Sequence, residues 1–255
     1  MSTTTPLTLY DLPTKKHGIG CWSPNVWKTR LLLNYKNIPY TTQFVTGSEI
    51  EATLSALGIP PNPPKPEGVP GPQPSAYTVP AVKFPDGSTA MDSAVIAPKI
   101  EQKYPEPKLD LAPELQAKVM PILGQALPPM LGIFYPRIQR EVLIPETVEQ
   151  WTAKKEAMFG MSFAQFEAEK GGETAWKAAQ PGHQKLREVL KEIKQDDGPF
   201  VRGKEVCYVD FILGGLMVSL KRLGEDLYER MVREVPALGE IYEEIERRGW
   251  IEKDD

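Results

Sequence analysis

Cysteine and histidine are scarce in this sequence, with two of each in 255 residues. Cys21 and Cys207 form no disulfide framework and no pair with metal-ligand spacing. With only His17 and His183 beside them, a zinc site is hard to assemble. A reducing, cytoplasmic setting is the expectation. An excess of positive charge is also missing: 30 Lys and Arg stand against 34 Asp and Glu, a net charge of -4 with both signs interspersed. That balance argues against a nucleic-acid partner. The most apolar stretch, Met120 to Phe134, is too short to span a bilayer and is cut by Pro121, Pro128 and Pro129. Met1 to Pro6 lacks the charged and apolar regions of a secretory signal. The expectation is a soluble protein without a membrane partner.

A hydrophobic fraction of 41% and a charged fraction of 25% are ordinary for a folded soluble chain, and the length suggests two domains. Leu7 to Leu12 alternates apolar and polar residues and reads as a strand. Ser23 then stands as N-cap to a helix opened by Pro24 and running to about Lys36, with Asn37 as its stop. Tyr40 to Val45 reads as a second strand and Glu49 to Ala56 as a short helix. A proline-rich insert within residues 46–76 follows, incompatible with helix or central strand. An insertion of this length inside a compact domain is usually functional or mobile. Thr78 to Phe84 and Thr89 to Met91 read as strands joined by the turn Pro85-Asp86-Gly87-Ser88. Ser93 to Tyr104 is an amphipathic helix, and a boundary falls at Pro105 to Pro107. Beyond it only helical patterns occur, at 113–136 (kinked at its prolines), 145–158, 163–178, 182–194, 208–222, 225–233 and 237–247. The order predicts a thioredoxin-like α/β domain, residues 1–106, followed by an all-helical domain, residues 107–255.

Three constellations carry chemistry. Ser23 lies at a helix N-terminus, where free N–H groups and the helix dipole favour an anion, and its hydroxyl can donate to a ligand thiolate. If Val79–Pro80 is cis, the Val79 N–H and C=O turn outward to pair with an extended peptide. Asp92-Ser93 opens the next helix, offering N–H groups and a hydroxyl to a carboxylate and a side chain to an ammonium. Taken singly, Ser23 and Asp92 read as plain caps. Together, the three sites run along one sheet edge in the order thiol, peptide backbone, amino-acid end, an arrangement that matches glutathione.

These residues sit in recognisable segments. WSPNVWKTRLLLNYKNIPY resembles the serine-type glutathione transferase motif, TVPAV its cis-proline strand, and MDSAVI its acidic-Ser helix start. With the DLPTK opening and the proline-rich insert, they are similar to the fungal FuA class and to bacterial β-etherases. The resemblance covers residues 7–104. It implies that Ser23 contacts the glutathione sulfur and Val79 and Pro80 present the peptide-pairing edge. Asp92 and Ser93 would hold the γ-glutamyl end, with Asn25 and Lys28 also in the site. Lys28 and Lys15 both have the right charge for the glycyl carboxylate. The resemblance further implies a homodimer, glutathione as co-substrate, no metal, and a hydrophobic aromatic acceptor between the domains. Trp22, Trp27, Met120, Met130, Phe134 and Tyr135 are candidates for that acceptor site. The family's S/T-x-x-D helix cap becomes Cys207-Tyr208-Val209-Asp210, with cysteine in place of the hydroxyl.

Two rival readings remain open at this level. One is a non-catalytic carrier of phenolic ligands. The other is a thiol reductase using Cys21, two residues before Ser23, as a low-pKa thiol. Lys15, Lys16 and His17 read as a solvated loop.

Overall fold

The computed structural model describes residues 6–15, 21–67 and 73–251. Lys16 and His17 lie outside the described residues. The chain begins with β1 (Leu7–Asp11), α1 (Pro24–Tyr35), β2 (Tyr40–Phe44) and α2 (Ile50–Ala56), followed by β3 (Ala81–Lys83), β4 (Thr89–Met91) and α3 (Ser93–Lys103). The sheet order is β2-β1-β3-β4, with β1 parallel to β2 and antiparallel to β3, and β3 antiparallel to β4. This is the mixed sheet of a thioredoxin-like domain. The strand expected from Thr78 shortens to Ala81–Lys83, because Pro80 has no N–H to donate to a ladder. Asn37 stops α1 as expected, with φ 53°.

The helical part comprises α4 (Pro113–Ala126), α5 (Leu131–Arg137), α6 (Pro145–Phe159), α7 (Phe163–Lys170), α8 (Gly172–Ile193), α9 (Tyr208–Leu223), α10 (Glu225–Glu234) and α11 (Pro236–Arg247). The helix expected over 113–136 is interrupted by a 3-10 turn at Pro128–Met130, since two consecutive prolines remove two helical N–H donors. It continues through α5 into a π turn, Ile138–Val142. The run Pro113–Val142 is therefore 30 residues and contains an 18-residue window of mean hydropathy 1.2, long and apolar enough by length and composition to cross a membrane. That corrects the shorter estimate from Met120 to Phe134. Leu115, Val119, Ile122, Leu123 and Met130 of this run pack into the protein's own core.

A second correction concerns residues 163–194. The expected break at 179–181 is absent, and α8 runs through Pro181. The break falls instead at Gly171-Gly172, where Gly172 takes φ 51°. A Cβ on Gly132 of α5 would meet Lys170 O at 2.4 Å, so α5 passes directly against the end of α7.

One apolar core joins the two parts, with α1 and α9 packed face to face. The pair Gly214-Gly215 permits this approach. A Cβ on Gly215 would lie 3.0 Å from Trp27 Cβ, 3.2 Å from Pro24 O and 3.3 Å from Lys28 N. The α9 cap forms despite the cysteine. The Asp210 carboxylate accepts from Cys207 N–H at 2.8 Å and from Val201 N–H at 2.7 Å, and the Cys207 sulfur faces the reciprocal amide. Burial and the neighbouring Asp210 push the Cys207 thiol up to about 12, so it stays protonated.

Candidate active site

The N-terminus of α1 is built around Ser23, which has extended backbone at φ -78° and ψ 123° and is 8% exposed. Its hydroxyl makes no capping bond, and among the described residues it has no hydrogen-bond partner. The first helical residue is Pro24, which has no N–H to offer. The plain capping role open to Ser23 in the sequence is thus not the one its hydroxyl performs. One turn on, Lys28 Nζ donates to Asn25 Oδ1 at 2.8 Å. Burial pulls the Lys28 ammonium below its usual range, and the negative Asp92 partly opposes this.

The Val79–Pro80 bond is cis. Among the described residues, neither the N–H nor the C=O of Val79 enters a backbone hydrogen bond, which leaves a strand-like edge open. Asp92 follows with φ 75°, its Oδ1 accepting from Ala94 N–H at 2.9 Å, so the capping role expected of Asp92 is realised. Tyr208 at the start of α9 donates its hydroxyl to Ser93 O at 3.0 Å, tying the helical part to the opening turn of α3.

All of these groups except Ser23 and Pro24 converge on a cavity of about 510 Å³ lined by Asn25, Lys28, Thr78, Val79, Pro80, Asp92, Ser93 and Ala94. Asn62, Pro74 and Ser75 of the proline-rich insert and Gln116, Met120, Tyr208 and Ile212 of the helical part complete it. Residues 68–72 of the insert lie outside the described residues; on either side of them Asn62 N–H donates to Ala76 O at 2.7 Å and Lys65 N–H to Gln73 Oε1 at 2.9 Å. The cavity thus offers a cation, an anion, a helix N-terminus and an open peptide edge. That set is complementary to a zwitterionic peptide.

A second cavity, about 330 Å³, is predominantly apolar. Trp22, Ser23, Pro24 and Asn25 form its wall on the α1 side, so Asn25 borders both cavities. Phe134, Tyr135, Ile138, Trp151, Lys155, Leu216 and Ser219 are among the residues that close it from the helices. Tyr135 and Trp151 meet edge to face with centroids 5.5 Å apart.

Trp22, Phe134 and Tyr135 therefore lie where an acceptor pocket was expected, whereas Met120 lines the polar cavity instead. Trp27 and Met130 are fully buried core and line neither cavity. Lys15 Nζ is engaged by Arg140 O, and Lys15 borders neither cavity. Cys21 is fully buried and lines neither cavity, with its sulfur 3.7 Å from Ser23 O and its thiol also hydrogen-bonded to the Asp11 carboxylate.

The sequence reading missed several participants. Asn62, Ser75, Gln116 and Tyr208 face the polar cavity, and Trp151 and Lys155 face the apolar one. A sealed ion pair joins β1 to α1, Arg30 Nη2 to Asp11 Oδ2 at 3.1 Å with both side chains fully buried, and neither residue lines a cavity. Arg30 also donates to Thr42 Oγ1 at 3.0 Å. Burial dominates the Asp11 carboxyl and shifts it upward, with Arg30 opposing.

Comparison with known proteins agrees with this geometry. Residues 22–103 match the glutathione S-transferase N-terminal domain and residues 116–232 its C-terminal domain. The chain belongs to the glutathione S-transferase family. Among solved structures it is similar to glutathione transferase GSTFuA3 of Phanerochaete chrysosporium. The TM-score is 0.83 and the identity 26%, covering 99% of this chain and 100% of that one. A Ceriporiopsis subvermispora glutathione S-transferase solved in complex with glutathione has TM-score 0.81 and 27% identity, covering 96% and 98% of the two chains. A curated relative, the glutathione S-transferase-like protein ustS of Aspergillus flavus, is 27% identical over 244 residues, covering 89% of this chain and 84% of that protein.

Proposed function

We propose that the polar cavity binds glutathione and that the bound thiolate attacks a hydrophobic aromatic electrophile held in the adjoining apolar cavity. The observation that carries this reading is the position of Ser23: its unused hydroxyl stands on the wall of the apolar cavity, within two residues of Asn25, which borders both. In this reading Val79 pairs with the cysteinyl backbone, Asp92 takes the γ-glutamyl ammonium, Ser93 takes its carboxylate, and Lys28 takes the glycyl carboxylate. The α1 N-terminus and the Ser23 hydroxyl lower the pKa of the bound thiol. A C–S bond then forms at the electrophilic carbon as the leaving group departs with its bonding pair, and the thiol proton goes to solvent. Holding thiolate and acceptor side by side supplies the proximity the reaction needs.

The likeness to β-etherases extends the proposal to thiolytic cleavage of an aryl ether, in which the sulfur displaces a phenolate. A cytoplasmic homodimer completes it, and sedimentation velocity at micromolar protein tests the dimer. The site assignment is tested by titrating bound glutathione through its thiolate absorbance. In Ser23→Ala the bound thiol pKa rises and turnover falls about tenfold or more, since a hydrogen bond to a charged group contributes ~1.5–3 kcal/mol. An unchanged thiol pKa in Ser23→Ala, or loss of activity only in Cys21→Ala, contradicts the serine assignment. Ligand binding without any conjugate after long incubation supports a carrier instead.

A further inference from the structure

The apolar cavity contains one cation with no anion to match it. Lys155, on α6, is the only ionisable Lys, Arg, Asp or Glu side chain among the residues lining that cavity. Its ammonium packs over the Tyr135 ring at 4.9 Å from the centroid. Among the described residues it has neither an ion pair nor a hydrogen bond; the neighbouring charge that acts on it is the like-charged Lys154. Burial draws the Lys155 ammonium below its usual range. On the adjoining turn and helices Arg137 is paired with Asp226, Arg140 with Glu167, and Glu156 accepts from Phe163 N–H. A half-buried cation facing an aromatic wall is poorly solvated, and an anionic oxygen on the ligand would restore what it lacks.

We infer that Lys155 selects aromatic acceptors bearing an anionic oxygen, a carboxylate or a phenolate, and orients them within the apolar cavity. This rests on the reading of that cavity as the acceptor site. The cation–π contact with Tyr135 holds the ammonium over the ring, and Trp151 beside it provides a face for the ligand's aromatic body. Lys155 is thus a specificity-determining residue that sets which acceptors enter, separate from the thiol chemistry at Ser23.

The test measures binding without glutathione, by quenching of tryptophan fluorescence. Unreactive nitrobenzoate is compared with nitrobenzamide, and nitrophenolate with nitroanisole, in wild type, Lys155→Gln and Lys155→Arg. Wild type is expected to prefer the anion of at least one pair by about tenfold, the scale of a charge-assisted pair out of bulk water. The preference falls to about one in Lys155→Gln and survives in Lys155→Arg, and the two pairs distinguish carboxylate from phenolate. Equal affinity for anion and neutral partner in wild type, or a preference that persists in Lys155→Gln, overturns the inference. Conjugation of neutral chlorodinitrobenzamide to glutathione, measured in parallel, reports on the transferase reading by itself, so the two can fail separately.

Discussion

The two cavities share a border at Asn25 but are built by different means. The polar cavity is framed by main-chain features: the first turns of α1 and α3 and the open Val79 edge just before β3. The apolar cavity is framed by side chains from separate helices, and α6, which supplies Trp151 and Lys155, has no fully buried residue. One half of the site is therefore held by backbone geometry that substitution scarcely changes. The other is a surface whose shape depends on a handful of aromatic side chains. A family constructed this way can keep its thiol chemistry and vary its acceptor.

The largest effect should come from opening the buried Arg30–Asp11 ion pair, which joins β1 to α1 in the thioredoxin-like half. Arg30→Met leaves Asp11 buried without its partner and is expected to destabilise the protein by about 3–5 kcal/mol in denaturant unfolding, with Asp11→Leu added to it restoring part of the loss. A loss below about 1 kcal/mol would show that the pair does not support this half. Gly215→Val forces side-chain volume against Trp27 and the first turn of α1. It should cost about 1–3 kcal/mol and weaken glutathione binding as well, because the Ser23 end of α1 must shift. Undiminished glutathione affinity in a destabilised Gly215→Val would separate packing from the site.

The helical half has its own pH signature. His183 is 1% exposed, among the described residues neither ring nitrogen has a hydrogen-bond partner, and burial lowers its pKa, with the Glu234 carboxylate 4.0 Å from Nδ1 opposing. The unfolded chain therefore binds the proton more readily than the folded one. Stability is retained above the ordinary histidine value and lost as pH falls below about 6.5, by about 1 kcal/mol over the next unit. His183→Leu should remove that slope, read from unfolding curves at several pH values. The smallest stability effect is expected at Trp151→Ala, under about 1 kcal/mol on a helix without fully buried residues. Its consequence should appear instead as a several-fold rise in acceptor KM at constant glutathione affinity. A parallel loss of glutathione affinity would mean the two cavities are not independent.

The same contrast explains what could be read from the sequence. Ser23-Pro24, Val79-Pro80 and Asp92-Ser93 are dipeptides whose roles depend on local backbone, so their positions along the chain announce the site, the first bordering the apolar cavity and the other two the polar one. Asp11 and Arg30 carry no such mark. Each reads as a solvated charge until β1 and α1 are packed together and their partners closed in. Tyr208 and Gln116 reach the polar cavity only through tertiary packing from the helical part. The apolar wall is less legible still, since Trp151 and Lys155 lie on a helix whose amphipathic pattern gives no sign of which residues meet Tyr135. The misplaced break at 179–181 has a simple cause. Pro181 is a strong local breaker, yet α8 accommodates it because the adjacent Gly182 lets the helix press against Ala126, while Gly171-Gly172 ends the preceding helix. Gly214-Gly215 likewise reads as a weak point in a helix and is instead where α9 meets α1.

The most direct test of the account is the thermal transition of the protein with and without reduced glutathione, in wild type and Ser23→Ala. For a Kd near ~1 mM, ~10 mM ligand adds about 1.4 kcal/mol and raises the wild-type midpoint by a few degrees. Ser23→Ala alone should move the midpoint little, because its hydroxyl caps nothing, and its glutathione-induced shift should be smaller. No glutathione-induced shift in wild type, confirmed by calorimetry, would contradict the assignment of the polar cavity as the glutathione site.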